Sequence, residues 1–104
     1  MNPAAIPAIA SPRRRKILHL IWENELSAGE LAKSFDVSWP AISQHLRVLK
    51  QADLIAERRH GRNRFYRTGP DQVGDLAVVL EAMWSTDLDR LAELAEAEHS
   101  GGST

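Results

Sequence analysis

Ser38-Trp39-Pro40-Ala41-Ile42-Ser43-Gln44-His45-Leu46-Arg47-Val48-Leu49-Lys50 reads as a short helix with two unlike faces. Ile42, Leu46 and Leu49 fall at i, i+4 and i+7 and share one apolar stripe. Trp39, Ser43, Gln44, Arg47 and Lys50 project elsewhere, and most of them form hydrogen bonds readily. A helix that buries one face and offers Ser, Gln and Arg on the other has the chemistry to read base edges in a DNA major groove. An ordinary amphipathic surface helix has the same periodicity, so the flanking segments must decide between the two.

Upstream, Ser27-Ala28-Gly29-Glu30 is a capping box, with Ser at the N-cap and Glu at the third helical position. It predicts a helix over about 28–35, with Leu31, Ala32 and Phe35 turned inward. Asp36-Val37 then forms a tight turn, and Ser38 caps the next helix. Two short helices joined by such a turn are the outline of a helix-turn-helix. Before them, Ser11-Pro12 places an N-cap residue ahead of a proline at the first helical position. That helix runs to about Asn24, with Ile17, Leu18, Leu20 and Ile21 as core candidates. Its first turn carries Arg13, Arg14, Arg15 and Lys16. Cations there oppose the helix dipole by about 0.3–1 kcal/mol each, so they call for partners, expected to be a mixture of carboxylates on a neighbouring helix and DNA phosphate reached by one or two of them. Residues 1–10 are small and apolar, and Ile6 and Ile9 suggest a short helical arm that packs on something.

Downstream, the helix should end near Ala52. Leu54-Ile55-Ala56-Glu57-Arg58-Arg59 alternates as a strand does. His60-Gly61-Arg62-Asn63 is a turn, and Arg64-Phe65-Tyr66-Arg67-Thr68 returns with Phe65 and Tyr66 on opposite faces. Directly after a helix-turn-helix, a hairpin tipped with Arg59, His60, Arg62 and Arg64 reads as a wing. Gly69-Pro70 interrupts the chain, and a long helix is predicted over about 72–98. Leu76, Leu80 and Met83 form one stripe that Trp84, Leu88, Leu91 and Ala95 continue. This is more apolar surface than one small domain can cover, which suggests a dimer seam anchored by Trp84; the alternative is packing within its own domain. Residues 100–104 are expected to be disordered.

The chain has 104 residues, enough for one small domain, and 43% of them are hydrophobic. It has no cysteine, which removes disulfides, thiolate metal sites and Cys nucleophiles together. No signal peptide is evident in Met1-Asn2-Pro3-Ala4-Ala5-Ile6-Pro7, and no apolar run is long enough to span a membrane, so a cytoplasmic location without membrane contact is expected. The net charge of −1 hides a strong asymmetry: residues 1–68 carry +6 and residues 69–104 carry −7. That division suggests one basic working surface and an acidic segment held away from it; scattered solvated charges are the alternative. No nucleophile–base pair, Gly-rich phosphate loop or pair of catalytic acids is evident, which argues against an enzyme.

Taken together, Ser11 to Leu18, Glu30-Leu31-Ala32, Val37-Ser38, Ser43 to Leu49, Ala52 to Ile55, Arg59-His60-Gly61-Arg62 and Phe65-Tyr66-Arg67 resemble the ArsR-type (arsenic-repressor) winged helix-turn-helix regulators. The resemblance is close over 11–68 and looser in the flanking helices. It implies a mainly α fold with a small β-hairpin, in the order α-α-α-α-β-β-α, dimerising through its terminal helices. The divisions would be an arm over 1–10, a DNA-binding core over 11–68, a dimerisation helix over 69–99 and a tail over 100–104. It further implies a homodimeric repressor on a pseudo-palindromic DNA operator. The expected DNA contacts are Ser38, Trp39, Pro40, Ser43, Gln44, His45, Arg47, Lys50, Arg59, Arg62 and Arg64. Trp39, Ser43, Gln44 and Arg47 would read bases, and Lys50 and the wing arginines would meet phosphates. His45 could read bases or brace the fold. The expected dimer contacts are Ile6, Ile9, Leu76, Leu80, Met83, Trp84, Leu88 and Leu91.

The family often has Gly where this chain has Asp53, a change expected to be tolerated at a turn. Many relatives sense metals, but the cysteines of one family site are absent. Asp87-Leu88-Asp89 with Glu96 and His99 only partly echoes another, with Asp89 where His is wanted. The resemblance therefore points to a member without a metal or other cofactor. Any small-molecule effector is unknown. A metal- or ligand-sensing repressor of the same fold, or a winged-helix protein-interaction module, are the alternatives.

Overall fold

Three serines start three helices. The hydroxyls of Ser11, Ser27 and Ser38 accept from the backbone N–H groups of Arg14, Glu30 and Ala41 at 3.3, 3.1 and 3.3 Å. The Glu30 carboxylate in turn accepts from the Ser27 N–H at 2.9 Å, completing the capping box. The computed structural model describes residues 2–35 and 37–85. Its elements run α1 (Ala5–Ile9), α2 (Pro12–Leu20), β1 (Leu26–Ser27), α3 (Ala28–Lys33), α4 (Trp39–Gln51), β2 (Ala56–His60), β3 (Asn63–Arg67), α5 (Pro70–Val73) and α6 (Leu76–Ser85).

The helices bury the faces expected of them. Ile17, Leu18 and Ile21 from the α2 segment, Leu31 from α3 and Ile42, Leu46 and Leu49 from α4 meet in one core. Each such side chain contributes about 1.5–3 kcal/mol by leaving water. Leu54, Ile55 and Tyr66 close this core on the hairpin side, and Val73, Leu76 and Leu80 close it from the C-terminal side.

Helix α4 ends in a Schellman motif. The Asp53 N–H donates to the Lys50 carbonyl and the Leu54 N–H to the Leu49 carbonyl, both at 3.0 Å. This geometry puts Asp53 at φ 60°, in the left-handed region that favours glycine. The Asn2 amide donates to the Asp53 carboxylate at 2.8 Å and to the Gln51 carbonyl at 3.0 Å. Asp53 thus acts as a turn residue, and its side chain also pins the N-terminal arm.

The hairpin has one strand more than the sequence suggests. β1 pairs antiparallel with β3, Leu26 opposite Tyr66, giving the sheet order β1-β3-β2. Two residues carry too little pattern to announce a strand. His60 pairs with Asn63 across the Gly61-Arg62 turn. Gly61 alone takes positive φ there, at 63°, as the first central residue of a type II′ turn does. Asn63 is not a left-handed turn residue but the first residue of β3.

The predicted continuous helix from residue 72 is interrupted. α5 stops at Gly74, which has φ 62°, and α6 begins afresh at Leu76. That break lets α6 lay Leu76, Ala77 and Leu80 on the chain's own core. Ile9, Leu76 and Leu80 were expected at a dimer seam, but all three are buried within the chain itself. Ile6, also expected there, is exposed, and among the described residues so are Val78 and Val79, which were not expected there. Leu88, Leu91, the partial metal motif and the 100–104 tail lie outside the described residues, as does Asp36.

Candidate nucleic-acid interface

The apolar stripe of α4 faces the core, so its polar face is turned outward. Trp39 is 53% exposed despite its size, and Pro40, Gln44 and Arg47 are also exposed, while Ser43 is half-buried. Ser38 stands at the helix start as its cap. Helix α4 and the hairpin bound a groove of about 760 Å³ that extends to the start of α3. Trp39, Ser43, Arg47, Lys50, Arg62 and Arg64 all line it. The structure therefore gathers most of the expected contacts into one concave surface. Gln44 lies on the exposed face of α4, and Arg59 is exposed on β2.

The hairpin arginines differ in their attachments. Arg58 is held by Glu25 through two hydrogen bonds, at 3.0 and 2.7 Å, and its guanidinium lies 5.0 Å from the centre of the Phe65 ring. This bidentate pair keeps the Glu25 carboxyl below its usual range, chiefly through the Arg58 hydrogen bond. Arg58 thus fastens the base of the wing to the segment before β1. Arg59 and Arg62, by contrast, make no ion pair among the described residues.

Lys50 and Arg64 both approach Glu57. The Lys50 Nζ donates to Glu57 Oε1 at 2.9 Å, and Arg64 Nη1 stands 3.9 Å from Oε2. Sequence reading passed over Glu57 because it fits unremarkably into an alternating strand. Only the turn at Ala52 and Asp53 brings it beneath α4.

His45 is turned toward α2. Its Nδ1 lies 3.4 Å from the Arg14 Nη1, and the ring is half-buried. A guanidinium can only donate, so this contact requires an unprotonated Nδ1. Burial, followed by the charges of Arg14 and Arg13, lowers the His45 pKa. Of the two roles considered for His45, the geometry favours the brace.

Two of the cations in the first turn of α2 reach backbone carbonyls of α1. Arg14 Nε donates to the Ala8 carbonyl at 2.7 Å, and Arg15 Nη1 donates to the Ile9 carbonyl at 2.7 Å. Both acceptors lie in the last turn of α1, where carbonyls lack helical partners and the dipole is negative. Lys16 sits over the Phe35 ring at 5.2 Å. The end of α1 thus supplies acceptors to Arg14 and Arg15 at the start of α2.

Trp84 packs in its own chain. It stacks on His19 at 4.5 Å and meets Trp22 edge-on at 5.1 Å. Both it and Met83 are half-buried. Among the described residues no group of three His, Cys, Asp or Glu side chains could hold a metal ion, and no helix is long and apolar enough to cross a membrane.

Residues 11–57 match the family model for the bacterial regulatory protein, arsR family. The HTH-type transcriptional regulator Rv2034 of Mycobacterium tuberculosis is 38% identical over 91 residues, covering 88% of this chain and 85% of that protein. The transcriptional repressor SdpR of Bacillus subtilis is 46% identical over 59 residues, covering 57% and 66%. Among solved structures, reduced HlyU from Vibrio cholerae superposes with a TM-score of 0.68 at 31% identity, covering 77% of this chain and 81% of that one. HlyU of that organism is named a transcriptional activator.

Proposed function

The chain belongs to the ArsR family of bacterial regulatory proteins and is a DNA-binding transcriptional regulator, not an enzyme; we propose that it acts in the cytoplasm as a homodimeric repressor on a pseudo-palindromic operator, without a metal cofactor. The observation that carries this reading is the groove between α4 and the wing, lined by Trp39, Ser43, Arg47, Lys50, Arg62 and Arg64. α4 enters the major groove with Gln44 and Arg47 as base readers. Gln pairs bidentately with adenine and Arg with guanine. Arg59 and Arg62 on the wing meet the backbone, where contacts fix register without reading sequence. Exposed Ile6, Val78 and Val79 supply apolar surface for a second copy. Burial of Ile9, Leu76 and Leu80 inside the protomer leaves that role to their exposed neighbours.

The test is fluorescence anisotropy on the protein's own upstream DNA, against scrambled DNA, over a salt series with chelator present. Tight, selective binding is expected, with log K falling against log salt by about 0.9 per phosphate neutralised. Gln44→Ala is expected to lose about 1–3 kcal/mol on the operator and to relax preference at one base. Equal, weak binding to both duplexes, or a requirement for metal, would overturn the reading. Sedimentation at the same concentrations tests the dimer.

A further inference from the structure

We infer that Glu57 is an internal brake on phosphate binding, competing with the DNA backbone for Lys50 and Arg64. This rests on the reading of the groove as a DNA interface. Glu57 sits on β2 opposite Tyr66, with its side chain only 18% exposed, and it lines the groove itself. Lys50 Nζ donates to one carboxylate oxygen at 2.9 Å, and Arg64 Nη1 faces the other at 3.9 Å. Tyr66, directly opposite across the strands, also favours the charged carboxylate.

Carboxylate and phosphate oxygens offer the same kind of acceptor to an ammonium or guanidinium group. Glu57 therefore occupies, from within the protein, the place a phosphate takes from outside. The cations can leave it, because their side chains are 57% and 51% exposed and such pairs are individually weak. The carboxylate, on a side chain only 18% exposed, is the less solvated member of each pair. Lysine hydrogen bonding, ahead of burial, holds the Glu57 carboxyl below the usual range, so it stays charged when DNA arrives. Lys50, with the shorter contact, is the more tightly shared. Arg62 lines the same groove without an ion pair among the described residues and is the unbraked reference.

A brake of this kind acts on every sequence alike, because it touches only the non-specific part of binding. The test compares wild type with Glu57→Gln on a labelled duplex of random sequence across a salt series. The variant should bind about three- to tenfold tighter at low salt, with a salt slope steeper by about one unit. Placing Glu57→Gln on Lys50→Met should shrink that gain, since the two residues act as a pair. Unchanged affinity and slope in Glu57→Gln would overturn the inference. Weaker binding would also overturn it, because Glu57 would then be aligning the cations for DNA. Should Glu57→Gln fail to unfold cooperatively, Lys50→Met alone decides. It should weaken random-duplex binding less than Arg62→Ala does, and an equal loss would overturn the brake. Wild-type protein with no salt-sensitive binding to any duplex would remove the DNA reading itself, whereas normal wild-type binding with an unresponsive Glu57→Gln removes only the brake.

Discussion

Arg14 and Arg62 are the same residue type in equally basic stretches of sequence, yet the structure uses them in opposite ways. Arg14 turns inward, with its guanidinium on carbonyls at the end of α1 and close to His45. Arg62 stands exposed at the hairpin turn and lines the groove. The difference shows that a basic run does not by itself leave its cations open to an outside partner. What matters is whether the protein already supplies oxygen acceptors. The start of α2 has them because the last turn of α1 ends beside it. The tip of the wing has none among the described residues.

Removing Arg14 gives the largest expected effect. Arg14→Ala deletes charge-assisted hydrogen bonds that tie α1 to α2, worth about 1.5–3 kcal/mol against unfolding. In a domain of this size each kcal/mol lowers Tm by roughly 4–8 °C. The DNA salt slope should not change once the variant is held well below its melting temperature. A flatter slope with unaltered Tm would reverse the comparison and make Arg14 a phosphate contact.

Arg62→Ala is the converse. It should weaken all duplexes alike and flatten the salt slope by about one unit, with Tm unmoved. Arg58 refines the contrast within the hairpin, since Glu25 already occupies it. Arg58→Ala should cost a little stability and leave the slope nearly unchanged. If Arg58→Ala and Arg62→Ala flatten the slope equally, the Glu25 pair does not withhold Arg58 from DNA.

The sequence was most informative where local chemistry dictates geometry. Ser11, Ser27 and Ser38 announce helix starts because a hydroxyl oxygen satisfies an orphan N–H within three residues. The stripe Ile42, Leu46 and Leu49 announces the buried face of α4, and thereby its outward face. Gly61 announces the hairpin turn. Features set by distant parts of the chain were hidden. β1 is a strand only because β3 lies beside it, and Glu57 meets Lys50 only because the left-handed turn at Asp53 reverses the chain. Gly74 was visible, but its break was masked by the apolar periodicity on either side. That break is also why Leu76 and Leu80 serve the core and Val78 and Val79 face outward. The inward acceptors of Arg14 and Arg15 lay in the small apolar arm, a segment without any charge to advertise them.

The smallest effect expected is a pH dependence that joins the inward cation to helix α4. His45 belongs to α4, but its ring rests against Arg14, and burial and the nearby charges of Arg14 and Arg13 push its pKa below 6.5. An unfolded chain then takes up a proton near pH 6.5 that the folded chain resists. Stability is therefore full above that pH and is lost as pH falls through the depressed folded value. The carboxyls of Glu25, Glu30 and Glu57 are shifted below 4.5, so their contribution is lost only in more acidic solution. Urea midpoints measured from pH 7.5 down to about 5 should decline in wild type and decline less in His45→Gln, which keeps a polar side chain but cannot gain a proton in that range. Because protonated Nδ1 can no longer accept from Arg14, the same decline should be blunted in Arg14→Ala. Parallel curves for all three proteins would mean that the His45–Arg14 contact carries no energy, and that the start of α2 and the middle of α4 are joined only through the apolar core.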